Sequence, residues 1–478
     1  MLFNSLHFLV FFPIVVFVLF QLAPAARRYW LLAASCYFYM VFVPSYILIL
    51  LFLILTDYTA GLLIERSAGR RRRAFLVMSL AANIVTLGFF KYFTFFDHNA
   101  AALARLAGVH YATSTLRILL PIGLSFHTFQ SMSYVIEVSR GAQRAERHLG
   151  LYALYVLFFP QMVAGPIERP QNLLPQLRRA HAFDHDRVVS GLVTMAIGFF
   201  KKIVIADRFA IVVNAVYSSP AAHSRAHLIL ATYCFAFQIY CDFSGYSDIA
   251  IGAARVMGYD LMTNFDRPYA ARSISEFWKR WHISLSTWFR DYLYIPLGGS
   301  RVARSRWYLN LMVVFLVSGL WHGANWTFVI WGALHGAFLV ASLLTAGLRA
   351  RVRSALGIEA VPALRNALQI AITFHLVALG WVFFRAPSLA AAGDMLSRMM
   401  RGSPGAGADL PLPVVDIAIG WAAVAALEGM QWLGAGRPLP EWIRVQPVWV
   451  RWPAYYAVVS LVLLFGKFSA REFIYFQF

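Results

Sequence analysis

The chain has 478 residues, 60% hydrophobic and only 13% charged, with a formal net charge of +20. A soluble domain carries about 25% charged residues, so this composition excludes a soluble fold and points to an all-α, polytopic integral membrane protein. The basic residues gather between apolar runs, at Arg66–Arg73, Arg140–Arg147, Arg169–Arg187, Arg255–Arg306 and Arg349–Arg353. That is positive-inside patterning set by membrane orientation, and it excludes nucleic acid as the partner of the charge.

The first apolar run, near residues 3–22, is followed by its nearest charges, Arg27 and Arg28, rather than preceded by them. The expectation is a retained first span with an outside N-terminus, not a cleaved signal. Further runs lie near 29–43, 46–64, 74–93 and 117–136. Cys36, Cys234 and Cys241 all sit in apolar surroundings, with neither a disulfide framework nor metal-ligand spacing, so no metal is expected.

The run at 149–166 ends in Phe159-Pro160-Gln161-Met162-Val163-Ala164-Gly165-Pro166 and is flanked by basic segments on both sides. If both flanks share one face, the run enters and leaves on that face, as irregular backbone that protein must cover. The run at 190–217 is interrupted by Lys201, Lys202, Asp207 and Arg208, which suggests a helix near the interface. Within 228–254, Gln238 with Asp242 and Ser244 with Asp248 are i,i+4 pairs. They fit a structural hydrogen-bond network or, alternatively, a carboxylate that orients an imidazole.

Residues 255–306 form a polar, Arg-rich stretch expected to be cytoplasmic. Runs near 307–326, 327–348, 366–384, 414–433 and 454–468 follow; the segment 386–413, which contains Gly402–Gly407, reads as a long loop and a flexible external or peripheral connector. The whole is expected to be one membrane-embedded unit, 1–478, with about 11–13 membrane segments including re-entrant or interfacial helices.

Two histidines stand out. His322, in Ser318-Gly319-Leu320-Trp321-His322-Gly323-Ala324-Asn325-Trp326, lies inside Trp307–Leu348, which has no Asp, Glu, Lys or Arg. That stretch suffices for two crossings of roughly 20 residues each, and an ionisable group within it is a functional-site candidate. The bland reading is a packing histidine. The second is His282. Ser273 with Glu276 forms a capping-box signature, and Ile274, Phe277, Trp278, Trp281, Leu285, Trp288 and Phe289 recur at helical spacing. The pattern predicts one amphipathic helix over 273–291 with His282 at the edge of its apolar face and Ile283 as the exception. Either the helix lies in the interface or it delivers His282 towards His322. His335 and His375 read as packing histidines, and His127 as a weak further candidate.

At these residues the sequence resembles the membrane-bound O-acyltransferase family, in its alginate O-acetyltransferase branch. The resemblance rests on the Phe159–Pro166 block, Tyr240-Cys241-Asp242-Phe243-Ser244-Gly245-Tyr246-Ser247-Asp248, and Asn264-Phe265-Asp266-Arg267-Pro268-Tyr269. It rests further on Phe277–Ser286, Leu320-Trp321-His322-Gly323 and the terminal Phe473–Phe478. The resemblance implies helices around a central funnel or tunnel in a bacterial inner membrane. It implies an O-acetyltransferase in which His322 is the principal family histidine and His282 a second, more variable one. On that basis His322 is expected to be the general base and His282 to serve the donor side. Trp278, Trp281, Trp288, Trp321 and Asn264 are expected to line or support the substrate path.

The resemblance also implies an acyl thioester donor, acetyl-CoA or a group on a cytoplasmic acyl carrier, and no tightly bound cofactor. The acceptor side would involve an exopolysaccharide and a periplasmic acetyltransferase partner, with membrane lipid around the whole. A transporter or flippase of an acyl donor or lipid-linked sugar, a non-catalytic assembly subunit of an envelope-polymer complex, and D-alanyl-type transfer to another envelope polymer are the alternatives. No phosphate loop, zinc motif or nucleophile elbow supports another chemistry.

Overall fold

The computed structural model describes residues 1–114, 119–163, 165–402, 409–433, 439–468 and 473–474. Among these residues all regular structure is helical. Eight helical stretches among them are long and apolar enough to cross a membrane, from Pro44–Arg66 to Val448–Phe465. The expected 11–13 segments also counted short elements, such as α1 (Leu6–Gln21, 16 residues) and α2 (Pro24–Met40, 17 residues). The glycine-rich part of the 386–413 connector and the last four residues of the C-terminal block lie outside the described residues.

Two compact units emerge, Met1–Met195 with Tyr246–Met262, and Ala196–Gly245 with Thr263–Phe478. In the first, α3 (Ile47–Arg66), α4 (Gly69–Leu106) and α5 (Leu124–Arg140) pack along one another. The buried Asp57 carboxylate accepts from Ser79 Oγ (2.5 Å) and Asn83 Nδ2 (2.9 Å), so a polar group in an apolar helix is satisfied from its neighbour.

The 149–166 run is a broken helix: α6 (Leu149–Leu157) stops at Phe158, and α7 (Phe159–Met162) is a single turn. The Tyr155 carbonyl, left over at that break, accepts from Gln130 Nε2 (2.6 Å) and Gln161 Nε2 (2.7 Å). After the break, α8 (Pro170–Leu177) follows Glu168, which is fully buried and accepts from Asn172 Nδ2 (2.7 Å) and the Met262 amide (2.5 Å).

The interfacial helix expected at 190–217 is corrected. α9 (His185–Phe199), a π-helical stretch at Phe200–Ala206 and α10 (Asp207–Ser218) form one continuous helix. Its charges point inward: Lys202, Asp207 and Arg208 expose only 2–4% of their surface. Charges so deep must be paired. α11 (Arg225–Val256) follows. Along it, a Cβ on Gly252 would come within 2.5 Å of the Gly191 carbonyl, the backbone-to-backbone approach that small residues allow between membrane helices.

In the second unit, α12 (Ile274–Arg280) and α13 (Ile283–Phe289) precede the hairpin of α14 (Arg304–His322) and α15 (Trp326–Leu344). Then come α16 (Ala346–Ala355), α17 (Pro362–Arg385), α18 (Leu389–Arg401), α19 (Val414–Leu433), α20 (Leu439–Arg444) and α21 (Val448–Phe465).

Candidate active site

The sequence around His322 builds a helix end that holds the ring still. Gly319 lets α14 meet α15 backbone to backbone: a Cβ there would lie 2.3 Å from the Phe328 carbonyl oxygen and 3.3 Å from Gly332 Cα. Gly323 ends α14, and a Cβ at that position would collide with the Phe328 ring at 2.2 Å. Asn325 then caps α15 by accepting from the Thr327 amide at 3.0 Å, while its Nδ2 donates to the Pro387 carbonyl at 3.0 Å. His322 is therefore the last residue of α14 at a tight corner. It is 4% exposed, with Trp321 and Trp331 edge-on at 5.0 Å and Phe384 at 5.4 Å.

The single helix predicted over 273–291 is corrected to two. Its first half begins as read: Ser273 Oγ accepts from the Glu276 amide at 3.1 Å. The helix then stops, because Trp281 is extended and His282 is left-handed (φ 44°, ψ 55°). A non-glycine residue there is uncommon and must be held by its surroundings. Asn264 supplies the hold. Its carbonyl accepts from the Ile283 amide (2.9 Å), and its side-chain oxygen accepts from the Ser284 amide (3.3 Å) and hydroxyl (3.0 Å). Two residues on, the Asp266 amide donates to the Arg280 carbonyl at 2.9 Å. Ile283, the residue that spoiled the helical pattern, was the trace of this break: a continuous helix would have placed it on the polar face.

The break turns His282 fully inward, at 0% exposure, and this removes the interfacial reading of that residue. Its ring centroid lies 6.5 Å from that of His322, 6.0 Å from Trp321 and 4.6 Å from Phe243. Burial pushes the His282 imidazole down to a pKa of about 3, so it stays neutral at physiological pH. The two imidazoles are thus buried near neighbours, with Trp321 against both rings.

The other expected residues divide. Trp321 touches both histidines. Asn264 is buried and supports the His282 backbone. Trp281 is fully buried among Phe265, Phe277 and Trp381, so it belongs to the aromatic packing behind the pair. Trp278 packs on Phe315, Trp331 and His335. Trp288 is buried, with ring contacts to Phe289 and Tyr292. Sequence reasoning did not single out Phe243, Trp331 or Phe384, all against a histidine ring; in a chain that is 16% aromatic, nothing marks them individually. His375 is a packing histidine as read, bonded to Tyr233 (2.9 Å) and the Ala371 carbonyl (2.7 Å). His127 lies buried in the first unit beside Tyr39.

Asp242 is engaged in a structural ion pair and chain anchor. One of its oxygens meets Lys202 Nζ at 2.8 Å, and the other accepts from the Ile474 amide at 2.8 Å. Lys202 also meets Asp207 at 2.9 Å. Arg208 pairs with Asp416, which Lys467 also meets at 3.1 Å, and donates to the Phe465 carbonyl at 2.6 Å. The Lys467 amide donates to the Ile203 carbonyl inside the π-helical stretch at 2.9 Å. The buried charges of the α9–α10 helix thus fasten the C-terminal segment, and Phe473 reaches Phe243 at 5.6 Å, itself packed on His282. Among the described residues no group of His, Cys, Asp and Glu has the arrangement of a metal site.

The described residues thus form a helical membrane protein with two buried histidine rings, one at a helix break and one at a helix end. The membrane-bound O-acyltransferase family profile matches residues 14–374. A probable alginate O-acetylase of Pseudomonas putida is 35% identical over the whole of both chains. Another, from Pseudomonas aeruginosa, is 39% identical over 84% of this chain and 75% of its own length. A peptidoglycan O-acetyltransferase of Helicobacter pylori is 35% identical over 79% of this chain and 74% of its own. The chain belongs to the membrane-bound O-acyltransferase family: it is a multi-pass membrane protein and an acyltransferase.

Proposed function

We propose that this acyltransferase O-acetylates an alginate-like exopolysaccharide at a bacterial inner membrane, with His322 as general base. The donor is an acetyl thioester, acetyl-CoA or a carrier-bound acetyl group, reaching the site from the cytoplasmic face. The acceptor side lies in the periplasm, where a partner acetyltransferase would carry the group onward. The observation that carries the reading is the pair of buried imidazoles at 6.5 Å in a chain whose relatives are named as alginate O-acetylases and a peptidoglycan O-acetyltransferase.

His322 takes the proton of the attacking hydroxyl as its oxygen bonds to the thioester carbonyl carbon. His282, neutral, donates its N–H to the carbonyl oxygen as negative charge develops there. When the carbon–sulfur bond breaks, the proton held by His322 passes to the departing thiolate, so neither histidine ends charged. General-base assistance of this kind is worth about 10²–10⁴-fold.

His322→Ala and His322→Gln should each abolish polymer acetylation at matched protein level, since neither side chain can accept the proton. His282→Ala should lose activity most at low donor concentration. Substantial acetylation in both His322 variants would remove the base assignment, and full activity in His282→Ala would remove the donor role.

A further inference from the structure

We infer that His335 is a positioning residue that sets the spacing of the two reacting histidines, an inference that rests on the reading of His282 and His322 given above. His335 lies on α15 at 0% exposure, ringed by Trp278, Trp331, Phe277, Phe315 and Phe338 with centroids 5.0–6.3 Å away. In this apolar nest it makes one polar contact among the described residues: its Nδ1 is 3.3 Å from Trp278 Nε1. An indole N–H can only donate, so Nδ1 is the acceptor and the ring proton sits on Nε2. The tautomer is fixed by the partner.

The placement of that bond gives it leverage. Trp278 stands four residues before His282, at the start of the last turn of α12 before the kink. Trp331 stands four residues before His335 on α15 and packs edge-on against His322 at 5.0 Å. One imidazole therefore ties the element that presents His282 to the helix whose preceding turn braces His322. A third element closes the corner. His335 Nε2 faces Gly380 of α17, where a Cβ would approach it to 2.9 Å. The next residue, Trp381, packs on Trp281 at 5.0 Å and lies nearly parallel to Trp331 at 6.0 Å. His335 is wedged where α12, α15 and α17 meet, and only a glycine fits opposite it.

Loss of the acceptor leaves a buried indole N–H unpaired and frees α12 to shift against α15. A displacement of about 1 Å at a reacting group costs on the order of 10²-fold in rate.

The test measures acetyl transfer from an acetyl thioester in membrane vesicles carrying the full chain, with donor concentration and pH varied. His335→Leu and Trp278→Phe should each lower kcat by about 10–100-fold, with little change in donor KM or in the shape of the pH profile. The double variant should be no worse than either single one, because both cut the same bond. His335→Asn, which puts an oxygen near the Nδ1 position, should recover most of the rate. Gly380→Ala should be as impaired as His335→Leu, and His335→Asn should relieve it, since asparagine has no atom where Nε2 lay. Wild-type rates in His335→Leu, additive losses in the double variant, or failure of His335→Asn to rescue would each overturn the inference. So would an altered pH profile in His335→Leu, which would make His335 a proton-transfer group. His322→Ala run alongside separates the two readings. If it is active, the reacting pair itself is misassigned; if it is dead while the His335 and Gly380 variants behave as wild type, only the positioning role fails.

Discussion

Replacing Lys202 by methionine should unfold this protein at a distinctly lower temperature, and the reason is charge rather than packing. Lys202 Nζ lies 2.9 Å from Asp207 and 2.8 Å from Asp242, and all three side chains are at most 5% exposed. Methionine keeps the length and most of the volume of the lysine stem, so the void left behind is small. What remains is two buried carboxylates with their shared cation gone. Removing one partner of a buried pair costs about 3–5 kcal/mol. At the low end of the usual conversion, about 2 °C per kcal/mol for a large chain, the melting temperature should fall by roughly 6–10 °C. Thermal ramps in detergent, followed by tryptophan fluorescence from the 14 tryptophans, read this directly. The control is the neutral triple variant, Lys202→Met with Asp207→Asn and Asp242→Asn. It should recover most of the loss, because no uncompensated charge remains and the carboxamide oxygen that replaces the Asp242 carboxylate can still accept from the Ile474 amide. A melting temperature within about 2 °C of wild type for Lys202→Met, less than the shift of a single kcal/mol, would refute the reasoning. So would a triple variant as unstable as the single one.

Two further outcomes follow from other parts of the molecule. Burial raises the Glu168 carboxyl to about 7, against the opposing hydrogen bonds from Asn172 and the Met262 amide. A folded-state value above the unfolded 4.5 means that its contribution to stability is full below about 4.5 and is lost as pH rises through about 7, roughly 3 kcal/mol in all. Glu168→Gln should therefore flatten the fall in melting temperature between about pH 5 and pH 8; an unchanged slope would count against the buried-proton account. The Arg-rich stretch 255–306 should face the cytoplasm. A cysteine in place of the exposed Ser300, with the three native cysteines replaced, should resist an impermeant thiol reagent in sealed spheroplasts and react once they are opened. Labelling in sealed spheroplasts would put the His282 kink on the acceptor side and withdraw its donor role.

Much of this protein was legible before any coordinates. Long apolar runs with basic gaps dictate helices across a bilayer, because no other backbone arrangement with this hydropathy satisfies its own hydrogen bonds there. A histidine in a charge-free stretch marks itself, and His322 with His282 was readable from that and from the blocks of the family resemblance. Tertiary structure decided what periodicity cannot encode. Periodicity sees one chain segment at a time, and the hydrogen bonds that break the 273–291 helix come from Asn264 and Asp266, well outside that window. It could only register the break as Ile283 out of phase. Likewise Lys202 and Asp242 lie forty residues apart, and no local signal told that the cation between them would be buried rather than interfacial. The polar residue in an apolar helix is visible in the sequence; the partner that makes its burial tolerable is chosen by the fold.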